Sequence, residues 1–147
     1  MPVDLDQARN PAQRAVLQLV NRWEETYNVG VERMVLDCYA SDAHVCFTGG
    51  EARGHAQFLR LENAIVAGCP GRYMRVDRVL MAGDDTAVVE AAVLDKARPD
   101  FYSPFCAILV VRDGRIALDR TYLDPSNWPG IEGAVEHVTP GGLGKPD

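Results

Sequence analysis

"RDGRIALDRTYLDP" (residues 112–125) decides how the rest of the chain is read. Asp113-Gly114 is the signature of a two-residue hairpin turn, and the residues after it should form a strand. Side chains alternate along a strand, so Asp119, Thr121 and Leu123 share one face while Arg120, Tyr122 and Asp124 share the other. Acids stand where a core strand would carry Val or Ile. Either this strand has a wet outer face, or it turns a charge into a pocket. Upstream, "PFCAILVV" (104–111) precedes the turn, and "RYMRVDRVLM" (72–81) and "TAVVEAAVL" (86–94) flank "AGDD". Four antiparallel strands thus fill the second half of the chain.

The first half has helical spacing. Asn10 suits an N-cap, Pro11 the first helical position, and Gln13 a weak capping box. Val16, Leu19, Val20, Trp23 and Tyr27 then form one apolar stripe, broken at Gly30. A shorter helix carries Val31, Met34, Val35, Cys38 and Tyr39 and ends near "ASDAH" (40–44). "HVCFTGG" (44–50) reads as a short strand. A third helix runs from Gly54 through Phe58, Leu61, Ile65 and Val66 to Gly68 and Pro70. The segment "DKARPDFYS" (95–103) reads as a long connection whose Phe101 and Tyr102 could gate a cavity. From Pro125 the Gly- and Pro-rich sequence reads as irregular. The expectation is one α+β domain over residues 1–147, with a core over 10–128 and an irregular tail over 129–147.

At 147 residues the chain can bury its own core, and 47% apolar with 24% charged residues is ordinary globular composition. A net charge of −6 without any basic run argues against nucleic acid as a partner. The apolar runs fall short of a membrane span, and "MPVDLDQARN" lacks a signal layout, so a cytoplasmic protein is expected. The 4 cysteines and 3 histidines show neither CxxC nor HxxxH. No metal and no cofactor are expected, and the cysteines read as reduced, mostly buried small hydrophobes.

The element order, with "NRWEETYN" (21–28), "LDCYASDAHVCF" (36–47), "EARGHAQF" (51–58) and "VVRDGRIALDRTYLD" (110–124), resembles the nuclear transport factor 2-like superfamily. That group includes ketosteroid isomerases, SnoaL-like polyketide cyclases, limonene epoxide hydrolase and scytalone dehydratase. The resemblance implies a curved, mainly antiparallel sheet and three helices forming a cone around an apolar pocket, and homodimers paired through the sheet. The families' catalytic groups do not carry over. The isomerase base and oxyanion-hole positions fall at Phe47, Trp23 and Ala107. Those of the epoxide hydrolase fall at Ala91, Val93, Thr121, Val45 and Phe47, and those of the dehydratase at Asn28 and at Arg72 or Tyr73.

In the register implied by the resemblance, Asp119, Thr121 and Leu123 face the pocket. Val89, Ala91, Val93, Phe105, Ala107, Leu109, Val45, Phe47, Phe58, Trp23 and Tyr27 line or underlie it. Asp119 is the candidate acid or base, with Asp95 near the rim as a second candidate. A carboxylate so placed loses hydration and its pKa rises. The competing placement has a one-residue bulge turn Asp119 outward, to pair with an arginine on a neighbouring strand. Glu62 reads as a solvated helix face or a rim acid. His44 falls on the face opposite Val45 and Phe47, and His55 reads as a solvated helix-start residue. His137 matters only if residues 131–142 fold over the pocket mouth. The expected function is a cofactor-independent acid/base enzyme of isomerase, cyclase, dehydratase or epoxide hydrolase type, acting on an apolar small molecule. The alternatives are a non-catalytic small-molecule carrier and a homodimeric interaction module.

Overall fold

The computed structural model describes residues 3–144. Helices α1 (Pro11–Val29) and α2 (Val31–Cys38) lead into strands β1 (Tyr39–Phe47) and β2 (Gly50–Arg53). Helix α3 (Gly54–Gly68) is followed by β3 (Arg72–Met81), β4 (Thr86–Asp95), β5 (Arg98–Arg112) and β6 (Arg115–Tyr122). The six strands form one sheet in the order β2-β1-β6-β5-β4-β3. β1 runs parallel to β6 and every other neighbouring pair is antiparallel. The helices cover one face, as an α+β domain requires. Among the described residues, no helix is long and apolar enough to cross a membrane.

Local chemistry accounts for the frame. Asn10 Oδ1 accepts from the Gln13 N–H at 2.9 Å, and Gln13 Oε1 accepts from the Arg9 N–H at 3.0 Å, so the capping pair satisfies two donors at the start of α1. At the β5–β6 hairpin, Asp113 (φ 53°) and Gly114 (φ 77°) are both left-handed, as the tight turn demands.

Several expectations are corrected. α2 stops at Cys38, and Tyr39 opens β1 with no intervening loop. The strand therefore begins five residues before His44, and Tyr39 belongs to the sheet rather than to a helix face. The extra strand β2 pairs with β1 through Val45↔Ala52 and Phe47↔Gly50. Residues 98–103 are not a connection but the start of β5, paired with β4 through Val93↔Ser103 and Asp95↔Arg98.

The segment after β6 is also organised. Short 3-10 turns form at Pro125–Asn127 and Ile131–His137, and Thr139 bridges to Glu51 at the edge of β2. Residues 131–137 pack on α3. The contact is close enough to need glycine on both sides: a Cβ on Gly68 would meet the Gly130 Cα, and one on Gly130 would collide with the Ile65 carbonyl. Gly130 is also left-handed (φ 89°). Gly130→Ala should therefore lower stability by on the order of 1–3 kcal/mol in chemical denaturation. Gly83→Ala, with φ 83° but open space around it, should cost less.

Candidate active site

The concave face of the sheet and the three helices enclose a cavity of about 70 Å³. Of the residues read from the sequence as lining it, Trp23, Tyr27, Val45, Phe47, Phe58, Val93, Phe105, Asp119, Thr121 and Leu123 do so. Ala91, Ala107 and Leu109 share the face but are buried in the packed core and do not reach the opening. Asp95 is a structural residue at the β4–β5 turn. Its Oδ2 accepts from Arg98 Nε at 2.8 Å and its Oδ1 from the Ala97 N–H at 2.9 Å, and these bonds hold its pKa below the usual range. Phe101 and Tyr102 do not border the cavity either.

The β5–β6 register does shift, between Val110 and Val111, yet Asp119 opposite Leu109 still points inward. It is 3% exposed. Tyr39 Oη donates to Asp119 Oδ2 at 2.6 Å, and Thr121 Oγ1 donates to Oδ1 at 2.6 Å. Trp23 Nε1 in turn donates to Tyr39 Oη at 3.0 Å. A directed chain thus runs from α1 through β1 to β6. Burial raises the Asp119 pKa, opposed by the bonds from Thr121 and Tyr39, which favour the ionised form. Burial and the Asp119 charge push the Tyr39 phenol well above its ordinary value, so it remains a donor.

A second polar group meets the cavity from α1, α3 and β3. Glu62 faces inward rather than outward, and burial raises its pKa from 4.5 to about 7, with Arg72 opposing and Asp119 adding to the rise. Arg72 is 8% exposed, with its guanidinium 5.2 Å from the Trp128 ring and 5.8 Å from the Tyr27 ring. The tail contributes Trp128, packed edge-on to Phe105 at 5.3 Å, and Ile131. His137 does not border the cavity, and His55 is tied by its Nε2 to the Tyr39 carbonyl at 2.8 Å.

Tyr39, Arg72, Trp128 and Glu62 are thus the cavity groups that the sequence pattern misplaced or passed over. Helical spacing from α2 put Tyr39 in the wrong element, and Trp128 sits in the tail outside any periodic element, while Arg72 alternates with Met74 and Val76 on the buried face of β3. For Glu62 a signal existed: with Phe58, Leu61 and Ile65 it falls on the inner side of α3.

On the opposite face of the sheet, His44, Cys46 and Glu51 come together across β1 and β2, with His44 Nε2 2.9 Å from Glu51 Oε2 and 3.2 Å from Cys46 Sγ. Their donor types would suit zinc. They lie within eight residues of one another, and the antiparallel pairing of β1 with β2, which sets Cys46 opposite Glu51, brings them together.

A family model of the SnoaL-like domain matches residues 20–118. The chain belongs to the SnoaL-like domain family, within the nuclear transport factor 2-like superfamily. Asp119 is the first residue beyond the matched span. No functionally curated protein matches the sequence. Among solved structures, this SnoaL-like domain is similar to a loop-truncated variant of IdmH (TM-score 0.65, 22% identity, 76% of this chain and 94% of that one). It is also similar to a SnoaL-like protein from Jannaschia sp. CCS1 (TM-score 0.70, 17% identity, 88% and 96% covered). An M. tuberculosis LEH-like epoxide hydrolase gives TM-score 0.65 at 19% identity, with 86% and 94% covered. At such identities these likenesses establish the fold.

The Glu62 carboxyl makes stability depend on pH. A carboxyl whose pKa rises on folding stabilises fully below its unfolded value and loses that contribution as pH climbs to the folded value. Stability should therefore fall between pH 4.5 and about 7. Denaturation midpoints of Glu62→Gln should show a flatter profile, the two proteins diverging by up to about 3 kcal/mol at pH 8.

Proposed function

We propose that this SnoaL-like domain is a cofactor-independent acid/base enzyme that moves a proton on an apolar small molecule held in the cavity. The observation that carries this reading is a buried carboxyl, Asp119, bordering an otherwise largely apolar cavity and oriented by Tyr39 and Thr121. Asp119 in its ionised form takes a proton from the substrate. The Tyr39 hydroxyl, itself a hydrogen-bond acceptor from Trp23, holds that carboxylate in one orientation and tunes its basicity. Glu62, near half-protonation around pH 7, is the group to return a proton at a second position. Removal at one atom and return at another is the proton inventory of an isomerisation or of a cyclisation through an enol. In a dehydration the same pair would take a carbon-bound proton and protonate the departing hydroxyl, which leaves as water. In an epoxide opening it would take a proton from an attacking water and protonate the ring oxygen as its C–O bond breaks. Structural relatives that include cyclase- and epoxide-hydrolase-type proteins support this class of chemistry.

A carboxyl-region NMR titration of Asp119, assigned with Asp119→Asn, should give a midpoint above the ordinary value of 3.8. Tyr39→Phe, which removes a donor to the ionised form, should raise it further. In a screen of apolar enones and epoxides, Asp119→Asn should lose activity by about 10²-fold or more. A midpoint at or below the ordinary value would move the reading to a non-catalytic carrier.

Pairing through the sheet is part of the same proposal. The convex face presents half-buried Val88, Ile108, Val110 and Leu118, with Tyr122 and Leu80 exposed. Such an apolar surface suits a second copy of the chain. Sedimentation should give a dimer, and Ile108→Glu should shift it to monomer with the circular dichroism unchanged.

A further inference from the structure

Arg72 opens β3 and is fixed at the cavity wall by three contacts. Its Nη1 donates to the Pro129 carbonyl at 2.8 Å, and its guanidinium lies between the Trp128 and Tyr27 rings. Its Nε is buried and, among the described residues, has no acceptor. The same is true of the Tyr27 hydroxyl, which also borders the cavity. The two lie side by side, since the Arg72 charge and a side-chain interaction with its guanidinium lower the Tyr27 pKa against the rise caused by burial, yet neither polar atom has a partner in full hydrogen-bond geometry. Leaving a buried donor of a charged group unmatched is costly, so such groups ordinarily meet an acceptor.

We infer that the Tyr27–Arg72 end of the cavity is a carboxylate-binding subsite, and that the ligand is an apolar small molecule carrying one carboxylate. The inference deepens the proposed function and rests on the cavity being a ligand site. The chemistry selects the class. A carboxylate accepts two parallel hydrogen bonds from the Nε edge of a guanidinium, and this is the edge that Arg72 leaves unmatched. Tyr27 supplies a third donor from α1. A phosphate carries more charge than one buried cation balances in an apolar cavity that already holds two carboxyl groups. A neutral amide would place its own N–H groups against donors.

Glu62 sets the pH range. Facing it are Arg72 from β3, Asp119 from β6, Tyr27 from α1 and Tyr39 from β1. Arg72 is the permanent cation among these. When Glu62 is protonated, Arg72 is left to the ligand; when Glu62 ionises, it competes for the same charge. Ligand binding therefore weakens as pH rises through about 7.

Benzoate is the probe, with benzamide as its neutral isostere, in calorimetric titrations of the full chain at pH 6 and pH 8. Benzoate is expected to bind at least tenfold more tightly than benzamide at pH 6, with the preference shrinking at pH 8. Arg72→Gln should abolish the preference, benzoate falling to the affinity of benzamide, and Tyr27→Phe should weaken benzoate severalfold. Glu62→Gln should remove the pH dependence. Equal binding of the two probes, no binding of either, or a preference that survives Arg72→Gln would overturn the inference. Should Arg72→Gln fail to fold, Tyr27→Phe and Arg72→Lys, which keeps the charge but not the fork, decide the matter in the same way. The Asp119 titration of the unsubstituted protein separates the two readings. A benzoate preference that is lost in Arg72→Gln, with Asp119 titrating in the ordinary range, would retain the subsite and discard the acid/base role. A raised Asp119 midpoint with no benzoate preference would do the reverse.

Discussion

The fold is organised around one buried carboxyl that must be kept supplied with donors. Asp119 has almost no water to lean on, and burying a carboxylate without partners is among the costliest things a protein can do. Its two oxygens are satisfied by side chains from two strands, Tyr39 at the first residue of β1 and Thr121 two places along β6. Tyr39 is in turn fixed by Trp23 of α1 and by edge-on packing against Phe58 of α3 at 4.7 Å. Thus α1, α3, β1 and β6 are joined through a single polar group. The parallel pairing of β1 with β6, set by Val45↔Asp119 and Phe47↔Thr121, places these side chains on one wall.

This requirement explains why α2 passes into β1 without a loop. The Tyr39 N–H still closes the last helical turn on the Val35 carbonyl, while its backbone is already extended (φ −103°, ψ 145°). One residue ends a helix, starts a strand and delivers a phenol to the cavity. The sequence conceals this, because Tyr39 continues the helical spacing of Met34, Val35 and Cys38 as well as it begins the β1 pattern. Local periodicity had no means to choose, and the choice is made by Asp119, 80 residues away.

What could be read in advance followed from short-range rules. The Asn10 cap, the hairpin at Asp113-Gly114 and the alternation that puts Asp119, Thr121 and Leu123 on one face are all properties of a few adjacent residues. The register shift, between Val110 and Val111, comes before Asp119 along β6 and leaves the inward set intact. Alternation also named Ala91, Ala107 and Leu109 correctly as inward, but depth along a strand is not a periodic property, and these three lie beneath the cavity floor. Arg72 and Trp128 escape notice for other reasons. Trp128 follows no helical or strand period and meets the cavity where the tail packs on α3 at Gly68 and Gly130, whereas Arg72 shares the buried face of β3 with Met74 and Val76 and is passed over because a charged residue there reads as exposed.

The departures from the resembling enzymes then have a physical meaning. At the isomerase-type positions, Phe47, Trp23 and Ala107 leave the wall without an ionisable group, and the cavity's charges stand elsewhere. Here β6 bears a titratable carboxyl supported by neutral donors, while the start of β3 bears a permanent cation held between two aromatic rings. Each polar end would be destabilising in isolation: the carboxyl by desolvation, the guanidinium by unmatched donors. Between them sits Glu62, raised to about 7 by burial and pulled in opposite directions by Arg72 and Asp119. Its charge therefore answers to the state of both ends. A ligand that neutralises Arg72 removes the interaction favouring the ionised Glu62 and so raises that carboxyl's proton affinity. On the proposed reading, occupancy of one end of the cavity would load a proton beside Asp119 and so couple binding to acid/base chemistry without any change of fold.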